Sequence, residues 1–172
     1  TRKAGMGGSW AACPVREGMR QMALALNVGI DPAQKQCVAR AVDQSGQVRG
    51  RPIWFAPDRP GVSKLEEDVR CILPGAEVHY FIEASGYLWY PVAVGLERLG
   101  QTVSLVNPTR VAAQRKVSSP KVKGDVADAE AAARVAFSIG DKARHPADIP
   151  DGVRLTLQRL CRYRHRLQQD AT

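Results

Sequence analysis

VHYFIEASGYLWYPVAVGLERLGQTVSLVNP, residues 78–108, decides the fold. Its opening VHYFIEA reads as a strand that ends at Glu83. Ser85-Gly86 then opens a helix, with Ser85 as its candidate N-cap and with Leu88, Val92, Leu96 and Leu99 on one face. TVSLVN is a second strand, stopped by Pro108. A strand, a helix and a strand in so short a span require a crossover connection, and hence a sheet with parallel members.

Upstream, Met22, Leu24, Leu26, Val28 and Ile30 alternate as in a strand, which runs into Asp31 and the breaker Pro32. KQCVARAVD and QVRGRPIWFA follow as two more strands, joined through Gln44-Ser45-Gly46 as a hairpin-like turn. Three consecutive antiparallel strands result. After Pro57 and Pro60, Val62, Leu65, Val69 and Ile72 recur at helical spacing until Pro74 and Gly75. Downstream of Pro108 a short basic segment, with Ser118 and Ser119 in a loop, leads to an alanine-rich helix packed through Ala131, Ala132, Val135 and Ala136. Asp151 then caps a last helix in which Val153, Leu157, Leu160 and Leu167 form a seam broken by Arg164. That seam lacks a partner within the domain, which suggests a longer helical hairpin or an oligomer contact.

With 172 residues, 44% of them hydrophobic and 24% charged, the chain has the composition of one ordinary globular domain. No apolar run approaches the roughly 20 residues needed to cross a bilayer, and residues 1–20 form an arm without the apolar core of a signal peptide. A cytosolic protein without a membrane partner is expected. Cys13, Cys37, Cys71 and Cys161 are widely separated, and His79, His145 and His165 do not stand at zinc-ligand spacing, so buried free thiols are expected. The net charge of +8 favours polyanionic partners. Arg110, Arg115, Lys116, Lys121 and Lys123 fill residues 108–124 without an acid, and Arg154, Arg159, Arg162, Arg164 and Arg166 crowd the last helix. Either run also reads as a solvated basic face.

Four acids stand out. Asp31 and Glu83 end predicted strands, the place where ligand sites form in open sheets with parallel crossovers. Asp125 and Asp128 are three apart at a helix start, where Asp125 as N-cap and Asp128 at the third helical position resemble a capping box. Side chains at that spacing also sit only about 5–6 Å apart at Cβ and can point at one spot. If all four carboxylates converge, oxygen-only ligands select Mg²⁺ or Mn²⁺ over zinc, and two such ions suit phosphodiester chemistry, with Asp31 the expected bridging ligand. Tyr87 and Trp89 could stack on a nucleotide or pack in the core.

VGID ending at Asp31, IEASGYLW around Glu83, SLVNP ending at Pro108, and KGDVADA with Asp125 and Asp128 together resemble the DEDD transposases of bacterial insertion sequences, the IS one-ten family, whose relatives include pilin-gene DNA invertases. The resemblance covers roughly residues 24–170; KGD and VADA stand where family members commonly carry KTD and an IDA-like element. It implies an α/β fold of the RNase H or RuvC type: three antiparallel strands followed by parallel ones in a mixed sheet, helices on both faces, and a protruding C-terminal helix. Residues 21–148 would form the catalytic domain and 149–172 the start of a coiled-coil-like extension. A C-terminal serine domain would lie beyond this chain, leaving it the catalytic-acid part of a recombinase. The resemblance further implies DNA as substrate, a guide (bridge) RNA, a homo-oligomer joined through the C-terminal helix, and a place in the bacterial cytoplasm at the nucleoid. Holliday-junction-type nuclease and non-enzymatic nucleic-acid-binding module are the alternative readings, with an actin-like ATPase a distant third.

Overall fold

The computed structural model describes residues 24–118, 124–139, 147 and 149–170. Five strands, β1 (Ala25–Asp31), β2 (Cys37–Asp43), β3 (Val48–Phe55), β4 (Glu77–Glu83) and β5 (Thr102–Val106), form one sheet in the order β3-β2-β1-β4-β5. β1 pairs antiparallel with β2 and parallel with β4, and β4 pairs parallel with β5. This is the RNase H-like mixed sheet, with the central strand first in sequence. Among the described residues no helix is long and apolar enough to cross a membrane.

Hairpin formation begins with Asp43. Its carboxylate accepts hydrogen bonds from the Ser45 N–H (2.9 Å) and hydroxyl (2.6 Å), the Gln47 N–H (3.0 Å) and the Arg49 side chain (2.6 Å). Gly46 supplies the left-handed conformation of the turn, φ 79°. These donors, the Ser45 hydroxyl foremost, hold the Asp43 carboxyl down at about 2.

The alternation read along β1 places only half of its burial. Leu26, Val28 and Ile30 face helices α1 (Arg59–Ile72) and α2 (Trp89–Arg98), with Val62, Leu65, Val69, Val92 and Leu96. Asn27 and Gly29 are buried as well, on the opposite face, because helix α4 (Asp125–Ile139) lies directly on the strand. A Cβ at Gly29 would stand 2.0 Å from the Ala129 carbonyl oxygen and 2.3 Å from the Ala133 nitrogen. Glycine on the strand and alanine on the helix therefore allow a backbone-to-backbone approach. Phe81, Val106, Val111, Ala131, Ala132, Val135 and Ala136 complete this second core.

Several expectations need correction. The basic segment after Pro108 forms a helix, α3 (Pro108–Ser118), so Ser118, expected in a loop, is helical, and only Val111 of α3 is fully buried. Ser85 does not cap α2, which begins after Leu88 without a side-chain cap. Leu99 is 42% exposed because it terminates that helix. Cys37 is a buried free thiol as expected, whereas Cys71 and Cys161 are free but exposed on helix surfaces. Asp151 does cap the last helix, α5 (Gly152–Asp170), accepting from the Arg154 N–H at 2.7 Å. Residues 1–23, with Cys13 and the arm, residues 119–123, with Ser119, Lys121 and Lys123, and residues 140–146, with His145, lie outside the described residues.

Candidate active site

Asp31 closes β1 two residues beyond Gly29, so both lie on the α4 face of the sheet. Parallel pairing sets Ile30 opposite Ile82, which brings Glu83 level with Asp31 on the neighbouring strand. Glu83 also follows Phe81 at the two-residue spacing of a strand, and Phe81 belongs to the α4-side core. On α4, Asp125 precedes Ala129 by four residues and Asp128 precedes Ala132 by four, about one helical turn in each case. Because Ala129 is fixed over Gly29, the preceding turn overhangs the end of β1 where Asp31 stands.

Electrostatics reports the resulting crowding. Burial first, and then the negative charges of Glu83, Asp125 and Asp128, together push the Asp31 carboxyl up to about 7. Two different elements, β4 and α4, thus direct charge at one carboxylate. Glu83 is oriented by the Ser85 hydroxyl, which donates to Glu83 Oε1 at 2.7 Å. Asp128 Oδ1 is bound by the guanidinium of Arg115 from α3. Beneath Asp31 the turn is closed through sulfur: the Ala33 N–H donates to Cys37 Sγ at 3.4 Å, and Cys37 Sγ donates to the Ala33 carbonyl at 3.5 Å. Burial pushes the Cys37 thiol up, and the charge of Asp31 adds to that effect.

The capping-box reading of Asp125 and Asp128 fails by one residue. Asp125 is already the first helical residue, and the Ala127 and Asp128 N–H groups donate to the Gly124 carbonyl. Both carboxylates are thereby left for other partners. They do not yet form a cage: among the described residues no three His, Cys, Asp or Glu side chains stand close enough to hold a metal ion together. The donor set nevertheless suits a hard cation, being oxygen-only, overcharged and sited where a cation would relieve the repulsion that raises Asp31.

Of the predicted phosphate-binding cations, Arg110 and Lys116 are exposed on α3, whereas Arg115 is committed to Asp128. Tyr87 and Trp89 separate. Trp89 packs against the main core and meets Tyr90 edge-on, while Tyr87 is 57% exposed beneath Arg159. Two partners went unforeseen in the sequence, Ser85 as the orienter of Glu83 and Arg115 as the counterion of Asp128. The short Glu83-to-Ser85 spacing was a usable signal for the first; nothing local signals the second, which joins two helices.

Comparison with known proteins gives the family. The family model for DEDD transposases of the IS one-ten group, described as "Transposase", matches residues 28–172. The chain belongs to this transposase family. Among curated proteins none matches the transposase sequence. Among solved structures, the transposase chain is similar to T. thermophilus RuvC in complex with Holliday junction substrate, at 15% identity and a TM-score of 0.47 over 71% of this chain and 98% of that one. A second Thermus thermophilus RuvC structure gives 16% identity and the same TM-score over 71% and 99%. A ROK family glucokinase from Streptomyces griseus in complex with glucose and AMPPNP is similar over 54% of this chain and 36% of that one, at 21% identity and a TM-score of 0.38.

Proposed function

We propose that Asp31, Glu83, Asp125 and Asp128 are the DEDD carboxylates of this transposase, and that they serve phosphodiester cleavage and strand transfer on DNA. The observation that carries the reading is the convergence of charge from β4 and from both aspartates of α4 on Asp31. Asp31, on the central strand, and the other three carboxylates would hold Mg²⁺ or Mn²⁺. Such ions, when bound, would supply Lewis-acid stabilisation of charge on the scissile phosphate. Ser85 holds Glu83 in orientation, and Arg115 holds Asp128 until a cation competes for it. Arg110 and Lys116 on α3, together with Lys121 and Lys123, pair with backbone phosphates without reading bases.

Residues 21–148 form the catalytic domain in this reading, and 149–172 begin the helical extension. A guide RNA, a second copy of the chain meeting through α5, and a serine-bearing domain are the further components the family resemblance suggests for complete recombination. The test is Mg²⁺-dependent nicking of branched and of end-paired DNA by the chain. Asp125→Asn and Glu83→Gln should each lower cleavage at least about 100-fold while duplex binding survives. Metal-independent nicking, or nicking unaffected by both substitutions, would remove the carboxylates from the mechanism. Efficient cleavage of branched DNA confined to junctions would instead favour the resolvase reading.

A further inference from the structure

Helix α5 turns the wrong face inward. Its apolar residues Val153, Leu157, Leu160 and Leu167 are all at least half exposed. Arg159, Arg162, Tyr163 and Arg166, which recur at helical spacing about 125° around from that seam, line a cleft of about 560 Å³ against the loop that follows Glu83. Ala84, Gly86, Tyr87 and Trp89 form the other wall. Among the described residues no acidic side chain lines this cleft, where three guanidinium groups stand together. A helix packed for stability alone would present a row of leucines to the domain. Here Leu155 and Gln158 join the wall at one end, and three arginines and a tyrosine make up the rest of it.

α5 is held in this position from its N-terminal side. The Ala147 N–H donates to the Val103 carbonyl at 2.8 Å, extending the β5 edge, and Ile149 packs on the main core. Within the cleft the Arg159 guanidinium carbon lies 5.1 Å from the centroid of the Tyr87 ring. That cation–π pair forms a flat, cationic stacking surface, and Tyr163 brings a second exposed ring to the same cleft. Paired bases are stacked inside a duplex and cannot reach such rings, whereas unpaired bases can.

We infer that the cleft between the 84–89 loop and α5 binds an unpaired nucleotide strand, with a base stacked at Tyr87 and Arg159 and phosphates held by Arg162 and Arg166. This inference rests on the nucleic-acid reading above and adds the path of the strand: it leaves the carboxylate centre next to Glu83 and runs along α5. Its ligand is the phosphodiester of a single strand, either displaced DNA or unpaired RNA.

The test uses the 172-residue chain with 12-nucleotide single-stranded DNA and RNA probes carrying 2-aminopurine, and a blunt duplex of the same sequence. Wild type should quench the 2-aminopurine of a single strand. Tyr87→Leu should abolish the quench and weaken strand binding about 5-fold or more with little effect on the duplex. The double variant R162Q/R166Q should lower the salt slope of strand binding by about 1.4. Binding of the DNA probe alone, the RNA probe alone, or both assigns the source of the strand, and each result supports the cleft. Strand affinity and quench unchanged in both variants would overturn the cleft while leaving duplex binding, and the wider function, intact. Absence of binding to strand and duplex alike would overturn both. All the substituted side chains are exposed, so circular dichroism should report an unchanged fold for each variant.

Discussion

Arg115 of α3 and Asp128 of α4 form an ion pair in which each side chain is only about one-fifth exposed. A candidate metal ligand is thus supplied with a protein cation. Removing one partner of such a half-shielded pair leaves a carboxylate among other carboxylates. Arg115→Ala should cost about 1–2 kcal/mol at pH 8 without divalent ions. If cation and guanidinium compete for Asp128, adding Mg²⁺ should raise the melting temperature of Arg115→Ala more than that of wild type. Equal increments in thermal melts would show that Asp128 does not receive the ion.

Asp31 gives a pH dependence with a definite sign. Its carboxyl titrates at about 7 in the folded chain against an ordinary value of 3.8. The folded state therefore keeps a proton that the unfolded state releases, and the stabilisation linked to it is fully present below about pH 4 and lost as pH rises through 7. Asp31→Asn should stabilise the metal-free protein at pH 8 by about 1–2 kcal/mol, after allowance for solvent screening at this half-exposed group. At pH 4 the difference should vanish. Urea unfolding at the two pH values measures both, and equal stability at pH 8 would show that the acids do not crowd Asp31.

Gly29 tests the packing that carries the aspartate helix. Any Cβ there meets main-chain atoms of α4, which cannot swing aside as a side chain would. Gly29→Ala should destabilise by about 3 kcal/mol or more and displace α4 outward. Cleavage per folded molecule should fall with it, since Asp125 and Asp128 retreat from Asp31. A stable, fully active Gly29→Ala protein would contradict the close approach.

Tyr80 offers the converse case, a buried polar group that stabilises without touching the centre. Its hydroxyl donates to Glu66, whose carboxylate also pairs with Arg70 at 2.6 Å; burial and Glu66 together push the phenol well above its ordinary range. Tyr80 lies on the α1 face, opposite Asp31. Tyr80→Phe should cost about 2 kcal/mol in urea unfolding, and cleavage by the folded fraction should be unchanged.

Much of this was legible in the residues. Strand alternation, the Gln44-Ser45-Gly46 turn and the prolines flanking α1 are local signals, and local physics decided those elements. Asp31 and Glu83 could be singled out because strand ends and breakers are visible in sequence. Helix α3 was hidden, since its sequence PTRVAAQRKVS carries almost no amphipathic pattern and buries a single side chain in full. Burial of both faces of β1 was hidden for the opposite reason: small residues at 27 and 29 read as the solvent side until α4 is laid on them. Long-range pairs such as Arg115 with Asp128 depend on where two helices come to rest, which no window of sequence contains.

The seating of α4 on Gly29 has a mechanical consequence. Because main chain meets main chain there, strand and helix form one rigid unit, and the backbones that carry Asp31, Asp125 and Asp128 are held together while their side chains can turn. Helix α3, anchored by Val111, by the Arg115 ion pair and by a hydrogen bond of 2.7 Å from the Ser138 hydroxyl to the Gln114 side chain, has far less to hold it. Any movement of α3 away from α4 would therefore break the Arg115 ion pair and free the Asp128 carboxylate.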